Sequence, residues 1–244
     1  MKTALKIFGP VILLAIFIAG FYFYLGLPDV SKLEAKNPRT TALMVQRYRE
    51  AKKTDETFRI RQQWIEFEAI PKLLRETVRV TEDASFYQHK GVDFVELKEA
   101  LKKNWEKGEY ARGASTITQQ LAKNLYLSTE KSVNRKIKEF LITRRLENIL
   151  SKDRIFAIYL NVIEWGPGVF GVEAASQYYF HKNVGQLNLE EMVRLVAVIP
   201  QPLKINPTEN SDWLKWKSQW ILDALRRYVY IDQMQYQSTY DRFQ

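Results

Sequence analysis

Residues Ile7 to Leu27 read IFGPVILLAIFIAGFYFYLGL, without one charged side chain. A helix rises about 1.5 Å per residue, so about 21 residues span a hydrocarbon core of about 30 Å. Inside lipid every backbone group must be paired within the segment, which restricts a single run of this kind to helix. Lys2 and Lys6 precede it and Asp29 follows, a charge bias that places the N-terminus in the cytoplasm. Phe21, Tyr22, Phe23 and Tyr24 would form an aromatic belt at the outer interface. The alternative is a cleaved secretory signal, but its apolar region is about 7–15 residues and ends on small residues. Here Phe and Tyr follow Ala19-Gly20 at once. The expected organisation is a cytoplasmic tail over 1–6, a transmembrane anchor over 7–27, a polar tether over 28–39 and one extracytoplasmic domain over 40–244. A loose tether would let a chain beginning near Ser31 fold and work without the anchor.

The 37 Lys and Arg against 28 Asp and Glu give +9, a balance that suits an anionic partner. Beyond a membrane anchor that partner is a membrane surface or a phosphorylated substrate, and nucleic acid is set aside. With no Cys there is no disulfide, thiolate metal site or Cys nucleophile, and two His, His89 and His181, argue against a His-rich metal site. Apolar spacing predicts a mainly α domain. Helices are expected weakly over Thr40–Lys53, from Pro71, around Phe94, Leu97, Leu101 and Trp105, and over Thr116–Leu127, Val133–Leu150, Lys152–Trp165, Leu189–Ile199 and Asp212–Tyr230. A short strand is expected near Ile60–Phe67.

Three segments carry candidate chemistry. Glu82 to Gly91, EDASFYQHKG, packs two acids, two aromatics and a His into ten residues. A Glu enclosed beside aromatic surface has its pKa raised and can transfer protons, whereas adjacent acids at a helix end are commonly just a solvated terminus. Gly113 to Asn124, GASTITQQLAKN, is a hydroxyl-rich helix entry that is either an anion site or an ordinary N-cap. On a helix from Lys131 to Leu150, Lys131, Arg135, Lys138 and Glu139 share a stripe that Ile142, Leu146 and Ile149 continue. Val133, Ile137 and Phe140 lie opposite, leaving little of that helix plainly solvent-facing. The stripe reads equally as a charged cleft floor or as an exposed first turn with an Arg135–Glu139 pair.

Taken with RKIKE at Arg135–Glu139, Leu146-Glu147, the long run Lys152–Phe180 and LEEMVRLVAVIPQP at Leu189–Pro202, these motifs resemble the peptidoglycan glycosyltransferases, specifically the monofunctional biosynthetic members of Gram-negative inner membranes. The resemblance covers about Thr40 to Pro207. It implies a lysozyme-like, two-lobed helical domain behind a single transmembrane helix, with the catalytic domain in the periplasm. It implies polymerisation of lipid II onto a nascent glycan strand, with inversion and without transpeptidation. By that resemblance Glu82 is the general base toward the acceptor GlcNAc 4-hydroxyl and Glu139 a second carboxylate. Lys123, Lys131, Arg135 and Lys138 surround the diphosphate. Ser115, Thr116, Gln119, Gln120 and Asn124 line the donor side, with Phe86 and His89 also at the substrate. No cofactor is obligatory, and a divalent cation, Mg or Mn, is admitted at the substrate diphosphate. Transpeptidases and division or elongation proteins are the implied partners, and moenomycin the implied inhibitor.

Two positions depart from the family pattern: Ala114 stands where Gly is usual, and Lys131 where Arg is usual. Ser128-Thr129-Glu130-Lys131 spells the S-x-x-K of transpeptidases, but no K-T-G follows, and Ser128 is expected to be an N-cap. A glycan hydrolase and an inactive scaffold are the competing readings. The basic set argues against the first, because cleaving neutral glycan needs no diphosphate site. Intact Glu82, Lys123 and Glu139 argue against the second.

Overall fold

The computed structural model describes residues 20–107 and 115–244. Among these the chain is mainly helical. Helix α1, described over residues 20–25, leads into a 3-10 turn at Ser31–Leu33. Then come α2 (Ala42–Ala51), β1 (Arg61–Gln62), a 3-10 turn at Phe67–Ala69, α3 (Lys72–Glu82), α4 (Phe94–Lys107), α5 (Ile117–Tyr126), α6 (Val133–Ile149) and α7 (Lys152–Val162). After α7 the chain forms β2 (Glu164–Gly166), β3 (Val169–Phe170), α8 (Val172–Phe180), α9 (Leu189–Ala197), α10 (Asp212–Arg227) and α11 (Gln233–Tyr240). The strands make one small sheet of order β1-β3-β2, β1 parallel and β2 antiparallel to β3.

Local chemistry explains where the helices begin. Thr41, Thr116, Ser132, Ser151, Asn188, Ser211 and Asp232 each accept the backbone N–H three residues on, pairing a donor that a helix start otherwise leaves free. At the centre, every residue of α7 from Ile155 to Val162 is buried. Helix α5 packs on α2, α6 and α7, while α3, α9 and α10 pack together, and one continuous apolar cluster joins the two groups.

Several expectations change. The α7 helix stops at Val162, because the next residues pair as a hairpin with Trp165 fully buried. The strand expected near Ile60–Phe67 shrinks to Arg61–Gln62. Helix α4 forms, but Phe94, Leu97 and Leu101 face outward. Helices α8 and α11 were not anticipated. The first is buried through Val172–Ser176, so its spacing gives no clear apolar–polar alternation, and the second, QMQYQSTY, has no apolar stripe.

The expected N-cap at Ser128 is corrected. Ser132 caps α6, so Lys131 lies before the helix, exposed and off the stripe. Val133, Ile137 and Phe140 are exposed as well, contrary to the expectation of a helix enclosed on both sides. The 28–39 segment is not a free tether, since Val30 and Leu33 are buried in the core beside Leu27. No helix among the described residues is long and apolar enough to cross a membrane. The expected anchor falls largely on residues 7–19, and Gly113-Ala114 on 108–114, both outside the described residues.

Candidate active site

Glu82 is the last residue of α3, where the chain turns sharply through Asp83. The turn is held from behind. Gly91 N–H donates to His89 Nδ1 at 3.1 Å, so the ring proton sits on Nε2 and points at Asp83 Oδ1, 2.9 Å away. Asp83 Oδ2 in turn accepts Ile117 N–H at 3.0 Å, the first turn of α5. Thr116 Oγ1 donates to Gly91 O at 2.6 Å and also accepts from Gln119, whose side chain returns to Thr116 N–H. The motif's Gly91 is obligatory: at φ +87°, a Cβ would lie 2.6 Å from Thr143 Cγ2 and 2.9 Å from Glu147 Cγ.

This scaffold sets α5 beside Glu82. One turn into α5, Gln120 Nε2 donates to Glu82 Oε2 at 2.9 Å, and Tyr159 donates to Gln120 Oε1 at 2.9 Å, fixing the amide's orientation. Burial pushes the Glu82 carboxyl above the usual carboxylate range and Asp83 adds to this, while the Gln120 hydrogen bond and the Lys217 and Lys123 charges pull it back. The residue as a whole is half-buried.

Lys123 follows Gln120 by three residues, on the same face of α5. Its ammonium makes no hydrogen bond or ion pair with the described residues, and burial pulls it below the usual lysine value, with Glu139 opposing. Across from it, Arg135 Nη1 donates to Glu139 Oε2 at 2.6 Å, and Lys136 Nζ closes on the other oxygen. The Arg135 Nε is buried without a partner among the described residues. Glu139 itself is buried. Thus of the stripe on α6, Glu139, Ile142 and Leu146 are buried and Arg135 is half-buried in the expected ion pair with Glu139, but the whole stripe is not enclosed. Ile149 is exposed, and Lys138 turns away, its ammonium 5.6 Å from the Phe23 ring centroid. Lys136, which the sequence reading passed over, takes its place.

Other expected substrate residues serve the scaffold. Phe86 is fully buried against Phe156, ring centroids 5.5 Å apart, and both His89 nitrogens are engaged within the turn. Thr116 and Gln119 are buried cap residues; Asn124 is buried one turn further, and Ser115 is exposed.

Asp83, His89 and Asp93 bring three ligand atoms within 4.8 Å. In this structure these atoms are engaged with protein partners, Asp83 with His89 and Ile117 N–H, and Asp93 with Ser85 and the N–H groups of Val95 and Glu96. The basic set around Lys123 presents donors, which suits an anion.

Lys217 was missed altogether. It stands on α10, half-buried over the Trp220 ring at 4.0 Å, and burial lowers its ammonium while Glu82 raises it. Helices α10 and α3 pack together, so tertiary contact brings a residue 135 positions distant to the carboxylate. Its only signal in the sequence is a Lys amid Trp213, Trp216 and Trp220, which reads as an amphipathic helix.

An enclosed carboxylate, an ammonium without a partner among the described residues and a basic cluster make the arrangement of a group-transfer site with an anionic leaving group. The transglycosylase family model matches residues 49–226, and the chain belongs to that family. It is 42% identical over 186 residues to a biosynthetic peptidoglycan transglycosylase of Dechloromonas aromatica, covering 76% of this chain and 80% of the relative. Proteins of the same description from Methylobacillus flagellatus and Nitrosomonas eutropha are 41% and 43% identical. The first match covers 79% of this chain and 84% of that relative, the second 78% of each.

Proposed function

We propose that this chain is a peptidoglycan glycosyltransferase that polymerises lipid II into glycan strands, anchored in the inner membrane with its catalytic domain in the periplasm. The acceptor is the GlcNAc 4-hydroxyl of lipid II and the donor is the growing strand on undecaprenyl diphosphate. Ionised Glu82 takes the hydroxyl proton as that oxygen bonds to the donor anomeric carbon with inversion. The carbon–oxygen bond to the diphosphate breaks, and its electron pair leaves with the diphosphate. Lys123, Arg135 and Lys136 stabilise that charge, with Glu139 holding the last two in place. No step is routed through a divalent cation.

The observation that carries this reading is an enclosed Glu82, oriented by Gln120, together with a Lys123 ammonium, one turn along α5, that has no partner among the described residues. Glu82→Gln tests it on labelled lipid II: polymer should fall by about 10²–10⁴-fold, the usual scale of acid–base help. Polymerisation within a few-fold of wild type would overturn it. Moenomycin supplies a second reading of the phosphate site. Its binding should weaken in Lys123→Ala and with added salt, and unchanged binding by the folded variant would place the phosphate elsewhere.

A further inference from the structure

Helix α6 holds more than the basic cluster. Ten residues beyond Arg135, about 15 Å along the same helix, stands Arg145. Its Nη2 donates to Tyr24 O at 2.7 Å, and its Nη1 to Leu27 O at 3.0 Å and Pro28 O at 3.2 Å. The guanidinium also lies 4.2 Å from the Tyr24 ring centroid. These carbonyls close the C-terminal end of α1, the end of the uncharged run. Carbonyls in the last turn of a helix lack internal partners and carry partial negative charge, so a planar cation with several donors is their natural cap. Downstream, Arg154 at the start of α7 donates to Leu33 O at 2.7 Å and Lys36 O at 3.0 Å. With Leu27, Val30 and Leu33 buried, the link from α1 into the domain is pinned at both ends.

Phe23 lies by Lys138, and Tyr24 to Pro28 lie by Arg145, so the end of α1 is held against α6, the helix that also carries Arg135 and Glu139. We propose that Arg145 is a positioning residue. It locks the end of the proposed membrane anchor to α6 and thereby holds the phosphate-binding cluster at a set height and tilt over the bilayer surface, where the substrate's diphosphate lies. This rests on the proposed function for its consequence, but the lock itself can be read without activity.

Because the natural chain has no Cys, Tyr22→Cys and Asn148→Cys place two spin labels on exposed positions of α1 and α6 in the full-length protein. In phospholipid nanodiscs the label–label distance distribution should be narrow, and should broaden in Arg145→Ala. Arg145→Lys keeps the charge without the fork; it should broaden the distribution too and serves as the reading if the Ala variant does not fold. Polymerisation of lipid II embedded in vesicles should fall tenfold or more in either variant, while lipid II in detergent should be used within twofold of wild type. A distribution equally narrow in the variants, or broad in the wild type, overturns the lock. Equal loss in vesicles and detergent overturns the positioning role. A wild type inactive in both media would count against the proposed function and leave the distance result to decide the lock.

Discussion

Glu82 is placed where it costs stability. Its carboxyl titrates above the ordinary value, so between the unfolded and folded pKa values the folded state holds more protons than the unfolded one. Stability therefore falls as pH rises through that window. Glu82→Gln, neutral at every pH, should melt at a higher temperature than wild type near pH 7, and the advantage should vanish below the unfolded carboxylate pKa. Thermal melts at the two pH values check this. A wild type more stable than Glu82→Gln at neutral pH would mean the carboxylate is well solvated and its enclosure overstated. The same electrostatics governs catalysis. Lys217 opposes the effect of burial on Glu82, so in Lys217→Met the acid limb of kcat/KM should move to higher pH, since the base then stays protonated further up the scale. A purely structural Lys217 would lower activity without moving that limb.

At the scale of elements, the site depends on how α5 and α6 begin. The α5 entry is tied to the Glu82 turn through Asp83, Thr116 and Gly91, so a fault at Gly91 should reach Glu82. Gly91→Ala meets Thr143 and Glu147 as well as a positive φ, and should lower both stability and activity. The α6 entry discriminates between two serines. Ser132→Ala removes a cap and should cost about 1 kcal/mol, while Ser128→Ala should cost nothing measurable. Chemical denaturation of the two variants decides it, and the reverse order would restore Ser128 as the cap. The exposed Val133, Ile137 and Phe140 explain why spacing misled: an apolar stripe reports a surface out of water in some setting, and does not say against what.

Over the whole molecule, the N-terminal segment belongs to the domain. Beginning the chain at Ser31 removes Leu27 and Val30 from the core and strips Arg145 of its carbonyl partners. Burial of two such side chains is worth about 1.5–3 kcal/mol each. A chain beginning at Ser31 should therefore melt well below one beginning at Gly20, even in detergent. Equal melting temperatures would return this segment to the status of a loose tether.

What the sequence determined by itself was composition, period and motif: a mainly helical chain, an uncharged run of membrane length, and the order of segments that resembles one enzyme family. Glu82, Lys123, Arg135 and Glu139 stood out because each lies in a short motif that carries the resemblance, and helical spacing alone aligns Gln120 with Lys123 and Arg135 with Glu139. Only the tertiary structure decided which neighbours those residues meet. Lys217 reaches Glu82 through α10 packing on α3, and Arg145 reaches the end of α1 across more than a hundred residues. Lys136 rather than Lys138 faces Glu139, since three residues and one residue differ by most of a half-turn around a helix. Phe86 and His89 looked like site residues because they share a motif with Glu82, yet a motif also preserves the turn that aims it. Local spacing constrains one element at a time, whereas a site is made where several elements pack, and packing is settled by the whole buried surface at once.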